Sequence, residues 1–146
     1  MTNNTISNKS ILVVDDDARM LRALEKVLRG EGLHVICAAW GGDAVDILTA
    51  RQKPIDLVIT DLRMPLFSGV TLVYAIRQIF PKLPVIVLSA FGTPDVRAEC
   101  LRQGASAFLE KPLDSQQLLG AVKDVLLSRE ADATATAPAE NEGRGV

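Results

Sequence analysis

Five short aliphatic runs alternate with five stretches in which apolar residues recur at helical spacing, and this rhythm predicts repeated βα units around one parallel sheet. Strand 1 is read over Ser10–Val14. A helix follows from about Ala18, with Met20, Leu21, Leu24, Val27 and Leu28 on one face and Gly30 and Gly32 near its end. Leu33–Ala38 forms strand 2. Helix 2 opens after Gly41 and Gly42, buries Ala44, Val45, Ile47 and Leu48, and stops before Pro54. Strand 3 covers Asp56–Thr60, and a loop containing Pro65 leads through Gly69 into helix 3, with Val70, Val73, Ile76 and Ile79 on its apolar face. Pro81 ends that helix because proline cannot continue the backbone ladder. Strand 4 is Val85–Ser89. Helix 4 begins at Pro94, capped by Thr93, and runs to Gly104. Strand 5 is Ala107–Leu109, and helix 5 runs from Asp114 or Ser115 to about Ser128. The fold class is therefore α/β, a five-stranded parallel sheet with five helices.

A chain of 146 residues makes one domain with a single core. It is 48% hydrophobic but only 4% aromatic, so the core is aliphatic. Residues 1–9 are polar and are read as a disordered start, and 10–129 as the folded domain. Residues 130–146, mostly Ala, Thr, Pro, Glu and Gly, have almost nothing to bury and are read as a disordered tail. No apolar run approaches the roughly 20 residues that cross a bilayer, and the start does not resemble a secretory signal. Membrane insertion is not expected, and the expected compartment is the cytoplasm. Without a secretory signal, the acceptor pattern Asn3-Asn4-Thr5 is coincidence. Cys37 and Cys100 have no pair spacing and read as reduced, structural thiols. The net charge is −2, and residues 1–130 hold 15 acidic and 15 basic side chains, which gives no support for specific nucleic-acid binding.

Four of the runs end in polar residues that apolar packing does not explain. The first meets Asp15, Asp16 and Asp17; the third meets Asp61; the fourth stops at Ser89; the fifth is followed by Glu110, Lys111 and Pro112. In parallel strands of one sheet these ends share the carboxyl edge, where ligands bind in open α/β sheets. Acids gathered at one point favour protonation unless a cation sits among them. Oxygen ligands select a hard cation, and Mg²⁺ needs few carboxylates because it keeps several waters. A carboxylate there can attack phosphorus, with positive charge from Mg²⁺ and a lysine on the phosphoryl oxygens and a hydroxyl such as that of Ser89 on another. The set suits a phosphoacceptor aspartate.

Val14-Asp15-Asp16, Asp61-Leu62-Arg63-Met64-Pro65 with Gly69, Leu88-Ser89-Ala90 and Glu110-Lys111-Pro112 resemble the response-regulator receiver family, in its order and at its spacings, over about Ser10 to Arg129. The resemblance implies a flavodoxin-like doubly wound sheet of order 2-1-3-4-5. It implies that Asp61 accepts a phosphoryl group from a sensor histidine kinase or a phosphotransfer protein. Asp16 and Asp61 would ligate Mg²⁺, Asp15 would reach it through water, and the backbone carbonyl of Arg63 would add a ligand. Lys111 would bridge the acids and the phosphoryl group, and Ser89 would turn inward. Phe108 would be the aromatic that follows, remodelling a face made of helix 4, strand 5 and helix 5 for an unidentified downstream protein. Arg63 and Phe91 would flank the phosphoryl group, and the Lys111–Pro112 bond would be cis. Such a chain is not a turnover enzyme; it would phosphorylate and dephosphorylate only itself.

Asp17 reads as a cap of helix 1 rather than a site residue. His34, at the start of strand 2, reads as structural. Trp40 is expected to pack like a lid over the loop before helix 2. One alternative function is a phosphatase resembling the haloacid dehalogenase superfamily, with Asp15 as nucleophile. That pattern leaves Asp61 without a task and places Arg19 where Thr or Val is usual. Another alternative is a receiver belonging to a DNA-binding transcription regulator, which the Asp-Leu-Arg-Met-Pro segment also resembles.

Overall fold

The computed structural model describes residues 6–50, 54–64, 68–90 and 92–129. Pro65, Phe91, residues 1–5 and the tail from 130 lie outside the described residues. The element order is β1 (Ser10–Val14), α1 (Ala18–Arg29), β2 (His34–Ala38), α2 (Gly41–Ala50), β3 (Leu57–Asp61), α3 (Gly69–Ile79), β4 (Val85–Ser89), α4 (Pro94–Arg102) and β5 (Ala107–Glu110). A fifth helix, α5, covers residues 115–129. All neighbouring strands pair in parallel, in the order β2-β1-β3-β4-β5.

Successive residues of a strand point to opposite faces, and this alternation divides the core into two layers. Leu12, Val14, Val58 and Val87 face α2, α3 and α4, meeting Ala44, Leu48, Leu72, Val73, Ile76 and Cys100. Ile11, Val13, Ile59 and Leu88 face the other way, toward Leu24 and Leu28 of α1 and Leu118, Val122 and Leu126 of α5. Strands buried on both faces carry no polar alternation, which is why β1, β3 and β4 read as unbroken aliphatic runs. Their carboxyl ends are then free to carry polar groups at the rim.

The boundaries move slightly from the sequence reading. Helix α2 includes Gly41 and Gly42 rather than following them. The third strand runs one residue further, to Asp61, because Asp61 still pairs in register with Leu88. Helix α4 stops at Arg102, and Gly104 turns the chain with a φ of 111°, in the region that favours glycine. Asp17 caps α1, its carboxylate accepting from the N–H groups of Arg19 and Met20. Thr93 caps α4 through Val96 N–H. Both free cysteines lie in or against the apolar layers, Cys100 fully buried. His34 is exposed at the amino end of β2, opposite the rim.

Leu28 of α1 has no exposed surface. Leu28→Ala is expected to lower the unfolding free energy by about 2–5 kcal/mol, as read from the urea midpoint with an unchanged m-value.

Candidate functional site

The backbone ladder continues past the strand ends and fixes the residues that follow them. Asp15 N–H donates to Ala38 O at 3.1 Å, Leu62 N–H to Leu88 O at 2.8 Å, and Lys111 N–H to Ser89 O at 2.7 Å. Because β1, β3, β4 and β5 are consecutive in the sheet, Asp15, Asp61, Ser89 and Lys111 stand side by side along one rim. The Lys111–Pro112 bond is cis.

Lys111 holds the cluster together. Its Nζ donates to Asp61 Oδ1 at 2.7 Å and lies 3.5 Å from Asp15 Oδ2. Asp15 is 1% exposed and Asp61 8%, so both carboxylates have lost most of their water. Asp16 is exposed beside them. One oxygen from each of Asp15, Asp16 and Asp61 lies within 4.8 Å of the others, the only such acidic group of three among the described residues. The donor set is all oxygen, which fits a hard divalent cation of the Mg²⁺ type. A single ammonium facing three carboxylates leaves negative charge over, which a divalent ion would offset.

Burial pushes the Asp15 carboxyl above its ordinary value, opposed by the hydrogen bond from Asp17 N–H to Oδ1 (2.9 Å), and the charge of Asp61 raises it further against the pull of Lys111. Burial alone would depress the Lys111 ammonium. The hydrogen bond to Asp61 and the charges of both aspartates outweigh that, and its pKa lies above the ordinary value.

The loop after Asp61 folds back on itself. Gly69 N–H donates to Leu62 O at 2.8 Å, and a Cβ on Gly69 would lie 2.6 Å from Asp61 O. Thr60, fully buried, donates its hydroxyl to the same carbonyl at 3.0 Å. The Asp61 carbonyl is thus bonded by Thr60 and approached so closely by the Gly69 backbone that no side chain fits there. Thr60 was not marked by the sequence, since a threonine inside an aliphatic strand is ordinary there.

Ser89 is 1% exposed at the end of β4. Phe108, one strand away in register with Val87, is 4% exposed and packs in the layer under α4. The structure therefore brings together Asp15, Asp16, Asp61 and Lys111, with Ser89 and Phe108 on the adjoining strands. Arg63 is exposed just beyond Asp61. Trp40 is 43% exposed and its ring lies over Gly42, where a Cβ would come within 2.3 Å of Cη2, in line with a lid over the start of α2.

The sequence matches the response regulator receiver domain family over residues 11–123. It is 37% identical over 131 residues to the transcriptional regulatory protein PrrA of Mycobacterium leprae, covering 90% of this chain and 55% of that protein. To the transcriptional regulatory protein GlrR of Escherichia coli K12 it is 39% identical over 116 residues, 80% of this chain and 26% of that one. The chain thus spans about half or less of the length of these relatives. A response regulator receiver domain protein from Clostridium thermocellum superposes with a TM-score of 0.80 at 31% identity, covering 84% of this chain and 98% of that one. A CheY-like receiver domain protein from Methanospirillum hungatei gives 0.81 at 27% identity, over 86% and 99%.

Because the folded Asp15 carboxyl is raised above the unfolded value of 3.8, the unfolded chain loses that proton first. Stability therefore falls as pH climbs from 3.8 through the raised folded value, and the cost persists above it. Asp15→Asn keeps an acceptor for Asp17 N–H and removes the charge. In EDTA at pH 7 the variant is expected to melt several degrees above the wild type. The gap is expected to close as the pH is lowered toward 4, and Mg²⁺ to raise only the wild-type Tm appreciably. Equal melting temperatures across that range would contradict the charge argument.

Proposed function

The chain belongs to the response-regulator receiver family, and from that premise we propose that Asp61 accepts a phosphoryl group and thereby switches a protein-interaction face. The observation that carries this reading is the Lys111 ammonium set 2.7 Å from Asp61 Oδ1 and 3.5 Å from Asp15 Oδ2 within an acidic cluster. One Asp61 oxygen attacks phosphorus, the bond to the donor's leaving group breaks with its electron pair, and an acyl phosphate remains on Asp61. Lys111 orients the carboxylate and then neutralises a phosphoryl oxygen. Asp15, Asp16, Asp61 and the backbone carbonyl of Arg63 are the groups that would hold Mg²⁺. Bound there, the ion would supply positive charge to the oxygens of the transferring group.

Ser89, buried at the neighbouring strand end, is the hydroxyl positioned to bond another phosphoryl oxygen and so report the modification. From it the change would spread along β4 into α4, β5 and α5, a local charge event biasing a two-state element. The donor is a sensor histidine kinase or phosphotransfer protein, and the compartment that goes with such transfer is the cytoplasm. Among the described residues no helix is long and apolar enough to cross a membrane.

Likeness to chains named as transcriptional regulatory proteins supports a second reading of the output, in which the switched face serves transcription. Family membership and the 2-1-3-4-5 strand order give the phosphatase alternative no footing. Asp15, its proposed nucleophile, is buried with one oxygen already bonded to Asp17 N–H.

Asp61→Asn is expected to abolish labelling by a small phosphodonor in Mg²⁺, with wild-type folding by circular dichroism. Lys111→Ala is expected to lose most of the phosphorylation-dependent change in partner binding while keeping some labelling. Undiminished labelling of the Asp61 variant would sink the assignment.

A further inference from the structure

Phe108 is held on more than one side by residues that take no part in the phosphoryl chemistry. A Cβ built on Gly92 would lie 2.7 Å from both Cε1 and Cζ of the ring, so the ring occupies the space that any other side chain at this position would fill. The same point is 3.5 Å from Ser89 Oγ, which places hydroxyl and ring against one stretch of backbone. From α4, the Arg97 guanidinium carbon stands 5.8 Å from the ring centroid, within cation–π range. Its Nη1 also donates to the Phe108 carbonyl at 3.4 Å. Beneath, the ring belongs to the apolar layer shared with α3 and α4. Phenylalanine has no hydroxyl, so nothing polar at its tip draws it toward water, as would be the case for tyrosine.

None of these contacts involves Asp15, Asp61 or Lys111. Resting on the reading of this site as a phosphorylation switch, we propose that Gly92 and Arg97 form a seat that keeps the Phe108 ring inward whether or not Asp61 is phosphorylated. Gly92 and Arg97 are then positioning residues. A modification can shift an equilibrium only by what it contributes differently to the two states. With the ring inward in both, phosphorylation moves Ser89 and the start of α4 without carrying the aromatic. The α4–β5 face would then hold part of its partner affinity before phosphorylation.

The test is fluorine NMR of the full chain labelled with 4-fluorophenylalanine, in which four phenylalanines give four resonances. The Phe108 signal is identified by its loss in Phe108→Leu. Broadening by a soluble gadolinium chelate reads exposure, with and without beryllofluoride and Mg²⁺ as the phosphoryl mimic. In the wild type the Phe108 resonance is expected to resist broadening equally in both conditions. Gly92→Ala is expected to increase its broadening several-fold without the mimic, and Arg97→Met to do so to a smaller degree; the second variant carries the test should the first fail to fold. A wild-type ring that is accessible and becomes protected only with beryllofluoride overturns the seat. So does unchanged protection in the folded variants. A wild-type protein in which no resonance responds to beryllofluoride overturns instead the switch reading, and the protection data show which of the two has failed.

Discussion

Lys111 lies between two buried carboxylates, 2.7 Å from one and 3.5 Å from the other, and the carboxyl rim of the sheet is arranged around its ammonium. Without that cation Asp15 and Asp61 would be like charges largely stripped of water, with nothing to offset their repulsion. With it, the carboxylates remain acceptors facing an exposed acid, Asp16. The ion pair is insufficient to neutralise all three, and that imbalance is what fits the rim to a divalent ion. Lys111 is itself placed by its N–H bond to Ser89 O, so the cation and the Ser89 hydroxyl are tied to one point of the β4 backbone.

The doubly wound order makes this arrangement possible. Only β1 has β2 on one side and β3 on the other, so the remaining strands follow in sequence toward β5 and bring four polar ends to adjacent positions. Burial of β3, β4 and β1 from Ile11 onward on both faces supplies the rigidity, since a rim built on aliphatic layers cannot shift without opening the core. The loop after Asp61 folds back through the bond from Gly69 N–H to Leu62 O, and Thr60 bonds the Asp61 carbonyl.

Much of this was legible in the sequence, for identifiable reasons. Parallel strands buried on both faces announce themselves as unbroken aliphatic runs, and Asp15, Asp61, Ser89 and Lys111 stood out because each ended one. Asp17 was read as a cap from its place before an amphipathic stretch, and its carboxylate accepts from Arg19 and Met20 as a cap does. What the sequence hid were contacts between elements. Arg97 is one of several polar residues on α4, and nothing in its spacing says that it reaches the carbonyl and ring of Phe108. Gly92 lies in the loop before α4, and the ring it admits lies on a strand sixteen positions on. Thr60 is an ordinary strand residue by its sequence pattern, and the extension of β3 to Asp61 depends on pairing with β4 that no local pattern carries.

On the proposed reading, the carboxylate at position 61, and no other on the rim, becomes the acyl phosphate. Borohydride reduces an acyl phosphate of aspartate to homoserine, so the acceptor can be located by peptide mass after treatment of the wild-type chain with a small phosphodonor and Mg²⁺. Mg²⁺-dependent homoserine is expected at residue 61 alone. Homoserine at residue 15 or 16, or no conversion under conditions in which the folded protein binds Mg²⁺, would contradict it.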